Sequence, residues 1–258
     1  MQTSTAPTWA GVTGVLFDAD DTLYDTRSAM HLAGTAAACA LWPTADPDRV
    51  VRAGIRFRGD PEGHFAAYTR GEVEFAEMRR ARIAELATWL DQPLDDDLWG
   101  AFEAAYEPVF LSALTVFDDV APVVGALRGS GRAVGVLTNS SGAYTAAKLG
   151  ATGLAHHFDI VCSTDTLGYG KPDPRAFHEA CRRLGTDPAH TLYVGDELHT
   201  DPLGAADAGM PAAWLVRDGA PDSAGAHLVA GRGVPVVTDL HEVLALVGCD
   251  LGAGERAR

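Results

Sequence analysis

The chain has 258 residues, enough for one large or two modest domains and for a core that needs no covalent staple. Its 47% apolar, 21% charged and 8% aromatic content is that of a globular protein and excludes disordered, fibrous and collagen-like classes. Twenty Lys and Arg against 35 Asp and Glu leave a formal charge of −15, a field that repels phosphate backbones and anionic lipid, so neither nucleic acid nor membrane is an expected partner.

In chain order, residues 12–17 form a short apolar run that stops at an acidic cluster, as a buried parallel strand does where its carboxyl end meets solvent. Residues 25–111 then carry no convincing strand. An alanine-rich helix is expected over 27–41, and a second over 72–90, with Val73, Phe75, Met78, Ile83, Leu86 and Leu90 along its apolar side. Pro43, Pro47, Pro61, Pro93 and Pro108 punctuate the stretch. Trp42, Trp89 and Trp99 are expected to fill its core. Arg49, Arg52 and Arg56, like Arg79 and Arg82, fall at helical spacing and are expected on solvated faces. Further apolar runs at 133–138, 158–162, 191–194 and 212–216 alternate with helical patterns, which predicts an α/β fold with a parallel sheet built from βαβ units. A crossover as long as 25–111 exceeds what one βαβ unit needs and is read as an inserted all-helical domain between core segments 1–24 and 112–258, with hinges at 24–26 and 111–115.

No run is long enough to span a bilayer, and MQTSTAPTW has neither the basic start nor the apolar stretch of a secretory signal, so a cytoplasmic location is expected. Cys39, Cys162, Cys181 and Cys249 form no CxxC pair and are expected to be buried thiols. His156, His157 and His199 lack a second pair at ligand spacing and are expected in loops or helix caps.

The chemistry concentrates at strand ends. FDADDTLYD places Asp18, Asp20, Asp21 and Asp25 together; like charges at 4 Å cost about 4 kcal/mol per pair at an effective dielectric near 20, so a positive group is expected among them. YVGDELHTD sets Asp196 and Asp201 just past the fourth strand, and in open α/β sheets ligands bind outside the carboxyl ends of the strands, where distant carboxylates converge. Such hard oxygen donors suit Mg²⁺. Between the clusters, Thr138-Asn139-Ser140 ends the second strand and Gly170-Lys171-Pro172-Asp173-Pro174 follows the third, offering a hydroxyl, backbone N–H groups and one ammonium as an anion cradle.

With these four motifs in order, spanning Asp18 to Asp201, the chain resembles the haloacid dehalogenase superfamily of phosphohydrolases, in the branch with a helical cap after the first strand. The resemblance implies a Rossmann-like core, a mobile cap and a Mg²⁺-dependent phosphatase. By the same resemblance, Asp18 is the nucleophile that becomes an aspartyl phosphate, and Asp20 the general acid and base. Thr138 and Asn139 bind the substrate phosphate, and Lys171 holds nucleophile and phosphate together. Asp18 through its carboxylate, Asp20 through its backbone carbonyl and Asp196 directly are the implied Mg²⁺ ligands, with Asp201 acting one layer out. Asp21 stands where many relatives have glycine and is read as a cap or surface residue; Thr22 is read as a turn hydroxyl. Four carboxylates against Mg²⁺ and Lys171 leave a site that a phosphate dianion enters only when the metal is bound.

Dehalogenation shares the nucleophile but needs no acid/base at the second acidic position, so Asp20 argues against it. Phosphonoacetaldehyde-type hydrolysis replaces that aspartate and uses a cap lysine, and 25–111 has none. A phosphomutase shares the core residues and stays open. A non-catalytic phosphate-binding or signalling module is the reading from another class, though receiver domains lack a large insertion after the first strand. A lid beside the nucleophile favours a small phosphorylated metabolite. Phosphoglycolate, sugar phosphates and nucleoside monophosphates all remain candidates, as do monomer and homodimer.

Overall fold

The central apolar runs become strands because both their faces are covered, as in a parallel sheet, while the edge run at Ile160–Ser163 keeps Val161 exposed. The computed structural model describes residues 9–95, 97–221 and 223–251. Strands β1 (Gly14–Phe17), β2 (Ala133–Thr138), β3 (Ile160–Ser163), β4 (Thr191–Gly195), β5 (Ala212–Leu215) and β6 (Val236–Val237) form one sheet in the order β3-β2-β1-β4-β5-β6. All five pairings are parallel. β1, β4 and β5 are buried throughout. β6 was not foreseen: two residues after Pro235 are too few to carry a periodicity.

The division of the chain into units explains what the sheet is for. The sheet unit comprises Met1–Tyr24, Val116–Ala146 and Gly153–Arg258. Around the strands it carries α6 (Val120–Gly129), α8 (Thr164–Leu167), α9 (Pro174–Leu184), α10 (Pro202–Asp207), α11 (Ser223–Ala230) and α12 (His241–Leu246), with a 3-10 turn at Pro188–His190. Helix α7 (Gly142–Ala151) begins in it. Chain order reverses between β1 and β4, which makes the β1/β4 crevice the switch point where this class of sheet binds ligands. The register sets Phe17 opposite Val194, so the residues after both strands emerge side by side. This is an α/β, Rossmann-like architecture.

The second unit, Asp25–Thr115 with Ala147–Thr152, is helical: α1 (Thr26–Leu41), α2 (Pro47–Gly59), α3 (His64–Thr69), α4 (Phe75–Trp89) and α5 (Leu98–Ala113). Asp25 caps α1 by accepting the Ser28 N–H at 2.8 Å, and Asp46 caps α2 ahead of Pro47, a residue suited to a first helical position. α1 and α2 cross where Gly34 faces Gly54, and a side chain on Gly54 would run into the His31 carbonyl. Phe102, Tyr106 and Phe110 stack along α5 at four-residue spacing, with ring centroids 5.7 and 5.5 Å apart.

Several expectations fail in this unit. Arg79 and Arg82 are buried, not solvated: Arg79 pairs bidentately with Glu103 at 2.7 and 2.9 Å and lies 4.6 Å over Tyr106, while Arg82 lies 4.5 Å over Phe57. Of the tryptophans, Trp42 is buried; Trp89 is half-buried beneath Arg49 and Arg56, and Trp99 is exposed with Arg80 stacked on it. Pro108 sits inside α5 and does not end it. Cys39 is exposed and Cys249 half-buried, so only Cys162 and Cys181 are the expected buried thiols. Among the described residues, no helix is long and apolar enough to cross a membrane.

Candidate active site

Asp18 leaves the end of β1 with its backbone N–H on the Val194 carbonyl of β4 at 2.8 Å, which seats it in the switch-point crevice. The next residues turn back tightly. Leu23 N–H reaches the Ala19 carbonyl at 2.9 Å, and Asp21 N–H the Tyr24 carbonyl at 3.0 Å. Asp21 holds the turn at φ 59°, a left-handed conformation that aspartate tolerates better than most non-glycine residues, and this accounts for its standing at a glycine-type position. Arg217, just past β5, donates to the Thr22 carbonyl at 2.7 Å and grips Asp119 bidentately at 2.9 and 3.0 Å. Thr22 is fully buried with its hydroxyl unbonded.

Lys171, buried after β3, is the centre of the arrangement. Its ammonium donates to Asp18 Oδ1 at 2.6 Å, Asp201 Oδ1 at 2.6 Å and the Tyr193 hydroxyl at 2.7 Å, so three protons meet three acceptors. Its backbone is held as firmly. The Asn139 side chain accepts the Lys171 N–H at 2.7 Å and donates to the Lys171 carbonyl at 2.8 Å. The Asn139 side chain is thus engaged in fixing Lys171, a contact the sequence did not suggest. Glycine at 170 is needed for this clamp, because a Cβ there would lie 2.7 Å from Asn139 Oδ1.

Thr138 ends β2 buried, its hydroxyl accepting the Ser140 N–H at 3.2 Å and keeping its own proton to donate. Asp201, at the start of α10, has both oxygens engaged: Oδ1 by Lys171 and Tyr193, Oδ2 by the Glu197 N–H at 2.9 Å. Any side chain at Gly195 would collide with it. Asp196 is half-buried, its carbonyl anchored by the Trp214 indole N–H at 2.8 Å. Asp20 is half-buried in the turn after Asp18.

Asp18, Asp196 and Asp201 each bring a carboxylate oxygen within 4.8 Å of the others. Three carboxylates and one ammonium carry a formal charge of −2 when all are ionised, and all the donors are hard oxygens. The residues therefore fit one hard divalent cation. The Asp20 carboxylate is not in this group. Burial pushes the Asp18 carboxyl up to about 7, against the pull of Lys171, and the Asp201 and Asp20 charges push the same way. Burial lowers and the Asp18 and Asp201 carboxylates more than restore the Lys171 ammonium, which stays charged. Burial, with Asp201 and Asp18 nearby, keeps the Tyr193 phenol protonated well above its ordinary range.

Tyr193 and Arg217 were missed in the sequence. Tyr193 reads there as one more apolar strand residue, and Arg217 as a loop charge. A second group of ligand-type side chains, Asp60, His64 and Glu85, gathers in the helical unit. Arg82 approaches Asp60 at 3.5 Å and Arg56 meets Glu85 at 2.5 Å, so its charges are already compensated. His156 and His199 are exposed and His157 half-buried, all outside both groups.

A family model described as haloacid dehalogenase-like hydrolase matches residues 12–209, from the start of β1's run to beyond α10. The chain belongs to that family. Among its curated relatives, this haloacid dehalogenase-like hydrolase is 30% identical over 199 residues to a glyceraldehyde 3-phosphate phosphatase of Methanopyrus kandleri, covering 77% of this chain and 82% of the relative. It is likewise 30% identical over 214 residues to the phosphoglycolate phosphatase of Escherichia coli, covering 79% and 81%. Among solved structures, the HAD-hydrolase YfnB from Bacillus subtilis, bound to magnesium, superimposes with a TM-score of 0.75 at 20% identity, covering 92% of this chain and 99% of that one. That last likeness supports the fold alone. The enzyme is a hydrolase, and the Methanopyrus kandleri and Escherichia coli relatives are phosphatases.

Proposed function

We propose that the protein is a Mg²⁺-dependent phosphohydrolase of a small phosphate monoester, working through an aspartyl phosphate on Asp18. The observation that carries this reading is the placement of Asp18: buried at the switch point, one oxygen held by Lys171, and grouped with Asp196 and Asp201 in a set two positive charges short of neutral. The phosphatase relatives favour a phosphate ester over an organohalide as substrate, and their names, with phosphoglycolate and glyceraldehyde 3-phosphate, favour a short-chain ester.

Asp18 and Asp196 would hold the metal through their carboxylates and Asp20 through its backbone carbonyl, with Asp201 steadying Lys171 beside them. When bound, Mg²⁺ supplies positive charge against the oxygens of the transferring phosphoryl group. The chain's own residues do the rest. Lys171 holds Asp18 by Oδ1 and neutralises charge on the incoming phosphate; the Thr138 hydroxyl proton is available to a phosphate oxygen. An Asp18 oxygen attacks phosphorus in line, and the bond to the ester oxygen breaks as Asp20 delivers a proton to the departing alcohol. Asp20, now ionised, takes a proton from water, whose oxygen attacks the same phosphorus, releasing inorganic phosphate and the free Asp18 carboxylate. A panel of phosphate monoesters assayed with and without Mg²⁺ tests the reading, with Asp18→Asn as control. Metal-dependent phosphate release by the wild type, abolished in Asp18→Asn, is expected; undiminished turnover in that variant contradicts the reading.

A further inference from the structure

Tyr193 lies on β4 with its ring fully buried and edge-on to Phe177, centroids 5.1 Å apart. Phenylalanine would pack there as well, so the hydroxyl is what needs explaining. A buried phenol costs stability unless its oxygen is bonded, and this one is bonded three ways. It accepts from the Lys171 ammonium at 2.7 Å, while its own proton has the Leu137 carbonyl at 3.0 Å and Asp201 Oδ1 at 3.1 Å as acceptors. Asp18 and Asp201 alone would leave the ammonium with one proton undirected and free to swing about the axis joining the two carboxylates. The phenol supplies the third acceptor without adding a third negative charge, and the Leu137 carbonyl ties that acceptor to the end of β2, one residue before Thr138.

We infer that Tyr193 is a positioning residue for Lys171, its hydroxyl fixing the ammonium between Asp18 and Asp201 at the height of the β2 carboxyl end. The inference rests on the reading of Lys171 as the cation that serves Asp18 and the phosphate. Because phosphoryl transfer depends on placement of charge, loss of the hydroxyl acts on the chemical step more than on ground-state binding.

Tyr193→Phe keeps the ring and its contact with Phe177. It is expected to lower kcat about tenfold or more while KM stays within about threefold. Phe177→Leu loosens the same packing and keeps the hydroxyl, so it lowers Tm but holds kcat within about twofold. In a Lys171→Met background, adding Tyr193→Phe changes the residual rate by less than about twofold, since its effect passes through the ammonium. A readout independent of turnover comes from the chain having only two lysines, Lys148 and Lys171, whose ammonium signals are assignable in protein carrying ¹⁵N-lysine. Solvent exchange of the Lys171 ammonium protons is expected to quicken about fivefold or more in Tyr193→Phe, as one of three acceptors is lost. Wild-type kcat in Tyr193→Phe, an undiminished effect in the Lys171→Met background, or unchanged ammonium exchange would each overturn the inference. If the wild type cleaves no phosphate ester, the proposed function fails, and the exchange measurement still decides the role of Tyr193.

Discussion

Burial of Asp18 gives the metal-free protein a contribution to stability that falls as pH rises. Its carboxyl is pushed from 3.8 to about 7 in the folded chain. Between those values the folded state holds a proton that the unfolded state has lost, so the contribution is fully present below about pH 4 and lost as pH climbs to about 7. At 1.36 kcal/mol per unit, the whole span is worth up to about 4 kcal/mol, and the interval from about pH 5.5 to 7 roughly 2 kcal/mol. Asp18→Asn keeps the shape and cannot ionise. In chelator-treated buffer, urea unfolding of the two proteins should therefore show the variant gaining on the wild type by roughly 2 kcal/mol from pH 5.5 to 8. Adding Mg²⁺ at pH 8 should stabilise the wild type more than the variant, because the cation binds the ionised carboxylate. A stability difference that stays flat with pH, or a variant that loses ground as pH rises, would refute the assignment of a buried carboxyl of raised pKa at position 18.

Asn139→Ala should release the Lys171 backbone and lower kcat about tenfold with a smaller change in KM, read in steady-state assays; a rise in KM alone would mean that the side chain serves substrate binding rather than Lys171. Gly195→Ala drives a methyl into Asp201 and should reduce kcat about tenfold or more while Tm falls only a few degrees; an unimpaired enzyme would mean that Asp201 is free to move. Arg217→Met strands the buried Asp119 carboxylate and frees the Thr22 carbonyl, so denaturant unfolding should record a loss of about 3 kcal/mol; a change below about 1 kcal/mol would remove Arg217 as the anchor of the turn after Asp18.

What the sequence disclosed and what it hid follow from the range of the forces involved. GVLF and AVGVLT are legible because a strand buried on both faces needs nothing but apolar side chains, and the acidic residues that stop β1 mark the carboxyl end of the sheet. The convergence of Asp18, Asp196, Asp201 and Lys171 was readable because all follow strands of one parallel sheet, whose carboxyl ends lie on one side. The Asn139 side-chain clamp was hidden because its partner, Lys171, stands 32 positions away and offers backbone atoms, which no motif displays. Tyr193 hid inside an apolar run, its hydroxyl meaningful only once β2 and Lys171 flank it. Arg79 and Arg82 have the spacing of a solvated face. Glu103, Phe57 and Tyr106, which bury them, belong to α2 and α5, and helical periodicity within α4 carries no information about those partners. β6 and the φ 59° turn at Asp21 depend likewise on neighbours rather than on local pattern.

The central claim is that Asp18 itself carries the phosphoryl group. Acid quenching during the first turnover, followed by peptide mass spectrometry, measures this directly. The account predicts a phosphoryl group on the peptide containing Asp18, more of it in Asp20→Asn, where water attack is slowed, and none in Asp18→Asn. Turnover with no phosphorylated peptide, or with the group on another residue, would contradict it.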